Sequence, residues 1–208
     1  MLDQAASKVV EKALPKLEKL LSEVVSDIPE SQKTKAVEPE AVSRGLASAA
    51  ARHTAVLTGA LALPTGPLGV LTLVPDLVAV WRRQAQLVAD IAATYGRKDR
   101  LTRELMMYCL FRHVSADAVK DIAVRAGQRL IVTHTTVIVF YRVVRVILGD
   151  LIAVLAGRFL LRWLPILGAA SVAAYSYRDT KQVGDTAIEA FGSAIEVEPA
   201  AKPRRKHK

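Results

Sequence analysis

The sequence has little of what most catalytic and metal-binding sites are made from. Its 208 residues include one cysteine, Cys109, which excludes an intramolecular disulfide and a cysteine-ligated zinc cluster. The four histidines are widely separated, and no two have the spacing of three or four that places two ligands on one helix face. The chain also lacks a Gly-x-Ser-x-Gly element, a phosphate-binding glycine loop and a Gly-x-Gly-x-x-Gly fingerprint. We therefore expect no metal, no cofactor and a non-catalytic role, with Cys109 a buried free thiol.

Acidic residues are absent from the C-terminal end. The chain carries 29 Lys and Arg against 20 Asp and Glu, a net charge of +9, and its last ten residues have five basic groups and no acid. A segment without apolar periodicity cannot bury enough surface to fold, so 197–208 is predicted to be a disordered basic tail. It is either a solubilising tail or a contact for anionic lipid, at about 1 kcal/mol per basic residue near the surface. Nucleic acid is disfavoured because no aromatic side chain is interleaved for base stacking. The basic residues are Lys202, Arg204, Arg205, Lys206 and Lys208.

The N-terminal segment lacks a basic stretch followed by an apolar core, so no secretory signal is predicted and a cytoplasmic location is expected. Residues 1–28 are instead predicted to form an amphipathic helical arm, with apolar residues at spacings of three and four and lysines opposite. Pro15 should kink this helix or begin a second segment. The apolar face either docks on the body or, as a separate hypothesis, binds a membrane, a partner protein or a second copy through residues 2–28.

Residues 29–40 are polar and are expected to be an exposed linker, with a helix beginning near Pro39. The helical domain is predicted to span 41–196. Its first helix is rich in small residues, and the pairs Gly45 with Ala49 and Ala55 with Gly59 should allow another backbone to approach closely.

A long uncharged stretch follows. From His53 to Pro75 there are 23 residues without Asp, Glu, Lys or Arg, nominally enough to cross a bilayer. Its prolines and glycines argue against one spanning helix, because lipid cannot replace the backbone hydrogen bonds that they break. We expect a central apolar helical hairpin whose turn is either buried or dips into a membrane surface. The candidate lipid contacts are Leu61, Leu63, Leu68, Val70, Leu71 and Leu73.

The rest of the chain is predicted to be helical, giving an all-α compact bundle of about seven helices. The clearest helix is 76–95, with Asp76 in its first turn, Gln84 in its apolar stripe and Gly96 as its stop. A short helix should end at Gly127. Residues 129–148 have a β-type composition, but the helical neighbours and the lack of a following partner strand favour a helix. The last helix is expected at about 180–196, with Asp179 as its cap.

Two blocks resemble the EcsC-like family. The first, LTGALALPTGPLGVLTLVPDLVAVWRRQAQLVADIAATYG over 57–96, has the family's Gly/Pro-rich apolar turn before an Asp-initiated helix that ends in aromatic-Gly. The second, over 162–191, contains the apolar Pro-x-x-Gly-Ala segment at 165–169. The resemblance covers roughly 41–192 and implies an all-helical, membrane-associated bacterial protein without an established catalytic activity. The matching positions are Asp76, Gln84, Gln86, Tyr95 and Gly96 in the first block, and Val183 and Gly184 in the closing helix of the second.

These patterns predict a peripheral membrane-associated protein that binds an anionic lipid surface or a partner protein at the cytoplasmic side of the inner membrane. Two alternatives stay open: a soluble oligomeric scaffold, and an enzyme acting on an apolar or lipid substrate. Asp76 also has two interpretations. It is either a first-turn acid that satisfies backbone N–H groups, or a buried carboxylate paired with Arg82, Arg83 or an arginine of 142–162.

Overall fold

The part of the chain that the structure describes is mostly helical, with one small sheet. A computed structural model describes residues 15–61, 73–120, 122–126, 129–159 and 165–198. A short 3₁₀ turn at Lys98–Arg100 precedes the fourth α-helix. The α-helices are α1 (15–26), α2 (Pro39–Leu61), α3 (Leu73–Thr94), α4 (Arg103–Phe111), α5 (Ala116–Lys120), α6 (Val137–Phe159) and α7 (Pro165–Gly192). The strands are β1 (Ala123–Ala126), β2 (Arg129–Thr133) and β3 (Ala194–Glu198).

The sheet shows that the all-α prediction is wrong in detail. Strand β2 lies in the middle, antiparallel to β1 and parallel to β3, with Arg129 opposite Ala126 on one side and Ala194 on the other. The segment predicted as a helix over 129–148 therefore begins as a strand and becomes helical only at Val137. Its β-type composition was the correct signal, but the parallel partner lies more than sixty residues further along the chain. Helices α7 and α5 also end earlier than predicted, at Gly192 and Lys120, because strands β3 and β1 follow them.

Helix α1 packs on the body of the protein. Leu17, Leu21 and Val25 are buried in the main hydrophobic core. On one flank of the helix, Glu18 forms an ion pair with Arg145 of α6 at 2.9 Å. Over 15–26 the apolar face is thus covered by the same chain; residues 1–14 of the predicted arm lie outside the described residues.

Helices α2 and α7 approach closely through small side chains. A Cβ atom added at Gly184 of α7 would lie 2.5 Å from the Cβ of Ala47 on α2, so only glycine fits there without displacement. The small-residue helix was predicted correctly, but the face was not. Gly45 and Ala49 are exposed, and the buried face contains Ala47 and Ala51, two positions out of phase.

Helix α3 is central to the core and ends as predicted at a glycine. Gly96 has a φ of +69°; its N–H donates to Ala93 O and the N–H of Arg97 donates to Ala92 O, both at 2.8 Å. This pair of bonds is the Schellman motif, which favours glycine because an L side chain is strained at positive φ. The helix begins at Leu73, so Asp76 is its fourth residue instead of its first.

The predicted linker, residues 29–40, is largely exposed, but it lies along the surface of α3 and is hydrogen-bonded to it. The N–H of Ala36 donates to Thr94 O at 2.9 Å, and the hydroxyl of Ser31 donates to Asp90 Oδ1 at 2.6 Å. Lys98 Nζ also donates to Ser31 O at 2.7 Å. These bonds hold the connection between α1 and α2 against the C-terminal half of α3.

Candidate functional site

The side chains predicted to contact lipid lie outside the part of the chain that the structure describes. Leu61 ends α2 and Leu73 begins α3, but their side chains, and that of Asp76, lie outside the described part. The hairpin contacts and both interpretations of Asp76 therefore stay predictions. None of the helices, as far as they are described, is long and apolar enough to cross a membrane. The other predicted contacts outside the described residues are Leu63, Leu68, Val70, Leu71, Lys202, Arg204, Arg205, Lys206 and Lys208.

Gln84 belongs to a polar cluster that joins three elements. It is almost completely buried on α3, and its Nε2 donates to Asp179 Oδ2 at 2.6 Å and to Thr180 Oγ1 at 3.3 Å. The other carboxylate oxygen of Asp179 lies 2.7 Å from His113 Nε2. Asp179 is thus in the interior of α7 and is not the helix cap that the sequence suggested. The cluster fastens the end of α4 and the middle of α3 to α7.

The pairing of His113 with Asp179 resembles the base-and-carboxylate pairs of hydrolases, and here it links the residues after α4 to α7. The second ring nitrogen, Nδ1, is shielded from solvent and has no hydrogen-bond partner in the described structure. Cys109 is equally inaccessible, since it is fully buried and burial raises the pKa of its thiol. Among the described residues, no group of three or more His, Cys, Asp or Glu is placed to hold a metal ion.

The buried carboxylate of Glu104 fixes the start of α6. Burial alone would raise the pKa of Glu104, but the hydrogen bonds from Arg103 and from the N–H of Thr135 outweigh it and lower the pKa below its usual value. Arg103 also donates to Thr135 O at 2.8 Å and stacks over the ring of Phe140, with 4.7 Å from its guanidinium carbon to the ring centre. The first turn of α6 is therefore held in one orientation by α4.

That orientation leaves one face of α6 uncovered. Val137 and Ile138 are 61% and 75% exposed, whereas Phe140 and Val144 of the same helix are buried. Two arginines lie among the exposed apolar side chains, and one of them, Arg142, has no carboxylate partner within 4 Å among the described residues. We call this surface the α6 outer face. It consists of Val137, Ile138, Tyr141, Arg142, Arg145 and Val146.

The α6 outer face was missed by sequence analysis, although one signal was present. Residues 137–148 are apolar on nearly every side, so the pattern alone does not show which side faces solvent. Arg142 and Arg145 are three residues apart, and a charged side chain is rarely buried without a partner. The side of the helix on which Arg142 and Arg145 lie is therefore the exposed side. Ile138, Tyr141 and Val146 lie on the same side.

No protein-family model, curated protein or solved structure matches this chain. The resemblance to the EcsC-like family accordingly stays a prediction.

Proposed function

We propose that this protein is a non-catalytic, peripheral membrane-binding protein whose α6 outer face contacts an anionic lipid surface. The observation that carries the proposal is the mixture on one helix face of exposed apolar side chains with two arginines. This combination is typical of helices that lie in the plane of a membrane interface, with apolar groups among the acyl chains and cations at the phosphates. The proposed location is the cytoplasmic side of a bacterial inner membrane.

The energies suit a reversible contact. Fully burying a Val or Ile side chain contributes about 1.5–3 kcal/mol, and Val137 and Ile138 are more than half exposed. Each arginine near an anionic surface adds about 1 kcal/mol. One such face gives marginal affinity, so we propose that the uncharged hairpin and the basic tail supply further contacts.

Vesicle flotation of the full chain tests the proposal. We expect binding to phosphatidylglycerol–phosphatidylcholine vesicles at low salt, and at least a tenfold loss of affinity when Val137 and Ile138 are both changed to Ser. The matched control is the double change of Val42 and Val56 to Ser on α2, since these valines are 45% and 74% exposed. The control should bind like the wild type.

Two results would overturn the proposal. The first is that the wild type does not bind anionic vesicles at low salt. The second is that V137S/I138S binds them as tightly as the wild type. Light scattering separates a further outcome. A dimer in solution that V137S/I138S converts to a monomer would make the α6 outer face an interface between two copies of the chain.

A further inference from the structure

On the flank of α1 that faces away from α6 there is an open groove of about 650 Å³ between α1 and α3. We call it the α1–α3 groove. Lys16 and Leu20 line it from α1, and α3 contributes Val78, Arg82, Arg83 and Gln86. The groove thus has three cationic side chains around an apolar floor.

The described residues supply no acid that pairs with the positive charge of the groove. Among the described residues, no carboxylate lies within ion-pair distance of Lys16, Arg82 or Arg83. The polar neighbour Gln86 is already engaged, because its Nε2 donates to Asp90 Oδ1 at 3.0 Å and to Glu30 O at 3.1 Å. Like charges on two facing walls create a positive potential, and a bound anion would relieve their repulsion.

The composition of the groove favours a particular kind of anion. Arginine side chains bind phosphate oxygens in a bidentate manner, and a phosphomonoester carries about −1.5 to −2 charges at pH 7, which suits a site with three cations. The apolar side chains of Leu20 and Val78 cannot bind a free inorganic ion, but they can contact the glycerol and upper acyl carbons of a lipid.

The position of the groove also points to lipid. On the opposite flank of α1, Glu18 contacts Arg145, and Ser22 Oγ donates to the hydroxyl of Tyr141 at 3.5 Å. Both of these α6 residues belong to the α6 outer face. The groove and that face are therefore separated by the width of one helix, about 10 Å.

We propose that the α1–α3 groove binds the phosphate of a lipid with a phosphomonoester headgroup, with Lys16, Arg82 and Arg83 as its ligands. The proposal rests on the proposed membrane association and specifies the lipid headgroup class that it recognises. It makes Arg82 and Arg83 determinants of lipid selectivity, whereas the α6 outer face contributes affinity for anionic membranes in general.

The test compares vesicles of matched surface charge: phosphatidylcholine with 10 mol% phosphatidic acid, and phosphatidylcholine with twice that fraction of phosphatidylglycerol. We expect the full-length wild type to bind the phosphatidic acid vesicles at least fivefold more tightly. R82Q/R83Q should lose this preference and bind the two kinds of vesicle equally. Because both arginines are exposed, the variant should fold, which circular dichroism can verify.

The matched control removes two charges elsewhere, by changing the exposed Arg52 and Arg178 to Gln. It should keep the preference for phosphatidic acid. The proposal is overturned if R82Q/R83Q keeps that preference, or if the control loses it equally, since the second result would show an effect of bulk charge alone.

A soluble lipid separates failure of this proposal from failure of membrane binding. Dihexanoyl phosphatidic acid below its micelle concentration should bind the wild type in calorimetric titration and should not bind R82Q/R83Q. Binding of this lipid by a protein that floats with no vesicle would support the groove while refuting the proposed function. Inorganic phosphate binding as tightly as the lipid would overturn the assignment of a lipid ligand.

Discussion

The contact between α2 and α7 allows a quantitative test of the packing. Changing Gly184 to Ala places a Cβ 2.5 Å from that of Ala47, where ordinary contacts begin near 3.4 Å. Overpacking of this kind costs about 1–3 kcal/mol, partly offset by the better helix propensity of alanine. Gly45 of α2 is the reference, because a Cβ there meets nothing within 4 Å. We expect G45A to stabilise the protein by about 0.5–1 kcal/mol, and G184A to be about 1–3 kcal/mol less stable than G45A.

The double variant A47G/G184A isolates the steric term. A47G alone should cost about 1.5–2 kcal/mol, from lost helix propensity and one lost buried methyl group. In the double variant the methyl group moves from α2 to α7, where its nearest neighbours lie at 3.4 and 3.6 Å. The propensity changes then cancel, so the double variant should be close to wild type, with a coupling free energy of about 1.5–4.5 kcal/mol.

Urea unfolding followed by circular dichroism at 222 nm measures all four proteins, and thermal unfolding gives a second value, at about 2–4 °C per kcal/mol for a chain of this size. Additive effects within about 0.5 kcal/mol would refute the close approach of the two helices. So would a G184A variant as stable as G45A.

Three further predictions concern buried polar groups. The pKa of Glu104 is lower in the folded protein than its usual value of 4.5, so its carboxylate stabilises the fold at neutral pH, and this contribution is lost as pH falls through the folded pKa. The difference in urea stability between wild type and E104Q should therefore shrink on acidification. A difference that does not change with pH would contradict the lowered pKa. Changing Gln84 to Leu removes a donor to the Asp179 carboxylate and should cost about 1.5–3 kcal/mol, whereas Q86L at the more exposed Gln86 should cost less; equal losses would argue against the buried cluster. The thiol of Cys109 should not react with a disulfide reagent in the native protein at pH 8 and should react fully in 6 M guanidinium, because burial raises its pKa and blocks access; rapid native reaction would show that the α4 region opens.

Features set by neighbouring residues were predictable from the sequence. The start of α2 at Pro39 is confirmed, as is the end of α3 before Gly96, because a proline in the first turn and a glycine after the last turn act through their own backbone dihedrals. Local periodicity predicts the buried face of 15–26 only in part: Leu17 and Val24 of the predicted stripe are buried, but Leu20 is only partly buried. Leu21 takes the interior position instead.

Features set by distant residues were not predictable in this way. Strand β2 depends on β3 for its parallel partner, and no local pattern places Ile195 beside Leu130. The buried face of α2 was misplaced for a similar reason, since small residues occur on several sides of that helix and only its contact with Gly184 selects the side that contains Ala47. Asp179 and His113 come together with Gln84 only once α3, α4 and α7 are packed.

The α6 outer face depends both on the local composition of the helix and on contacts with distant residues. An almost wholly apolar helix segment such as 137–148 would ordinarily be interior, because each exposed apolar side chain forgoes the free energy of burial. Here Glu104 and Arg103 hold the first turn of α6 with Phe140 inward, which fixes Val137 and Ile138 outward. The exposure is therefore a consequence of a buried, charge-assisted clamp and is not a result of loose packing. E104Q should consequently weaken vesicle binding by the α6 outer face under conditions where the variant is still folded, whereas unchanged binding would show that α4 does not set the direction of that face.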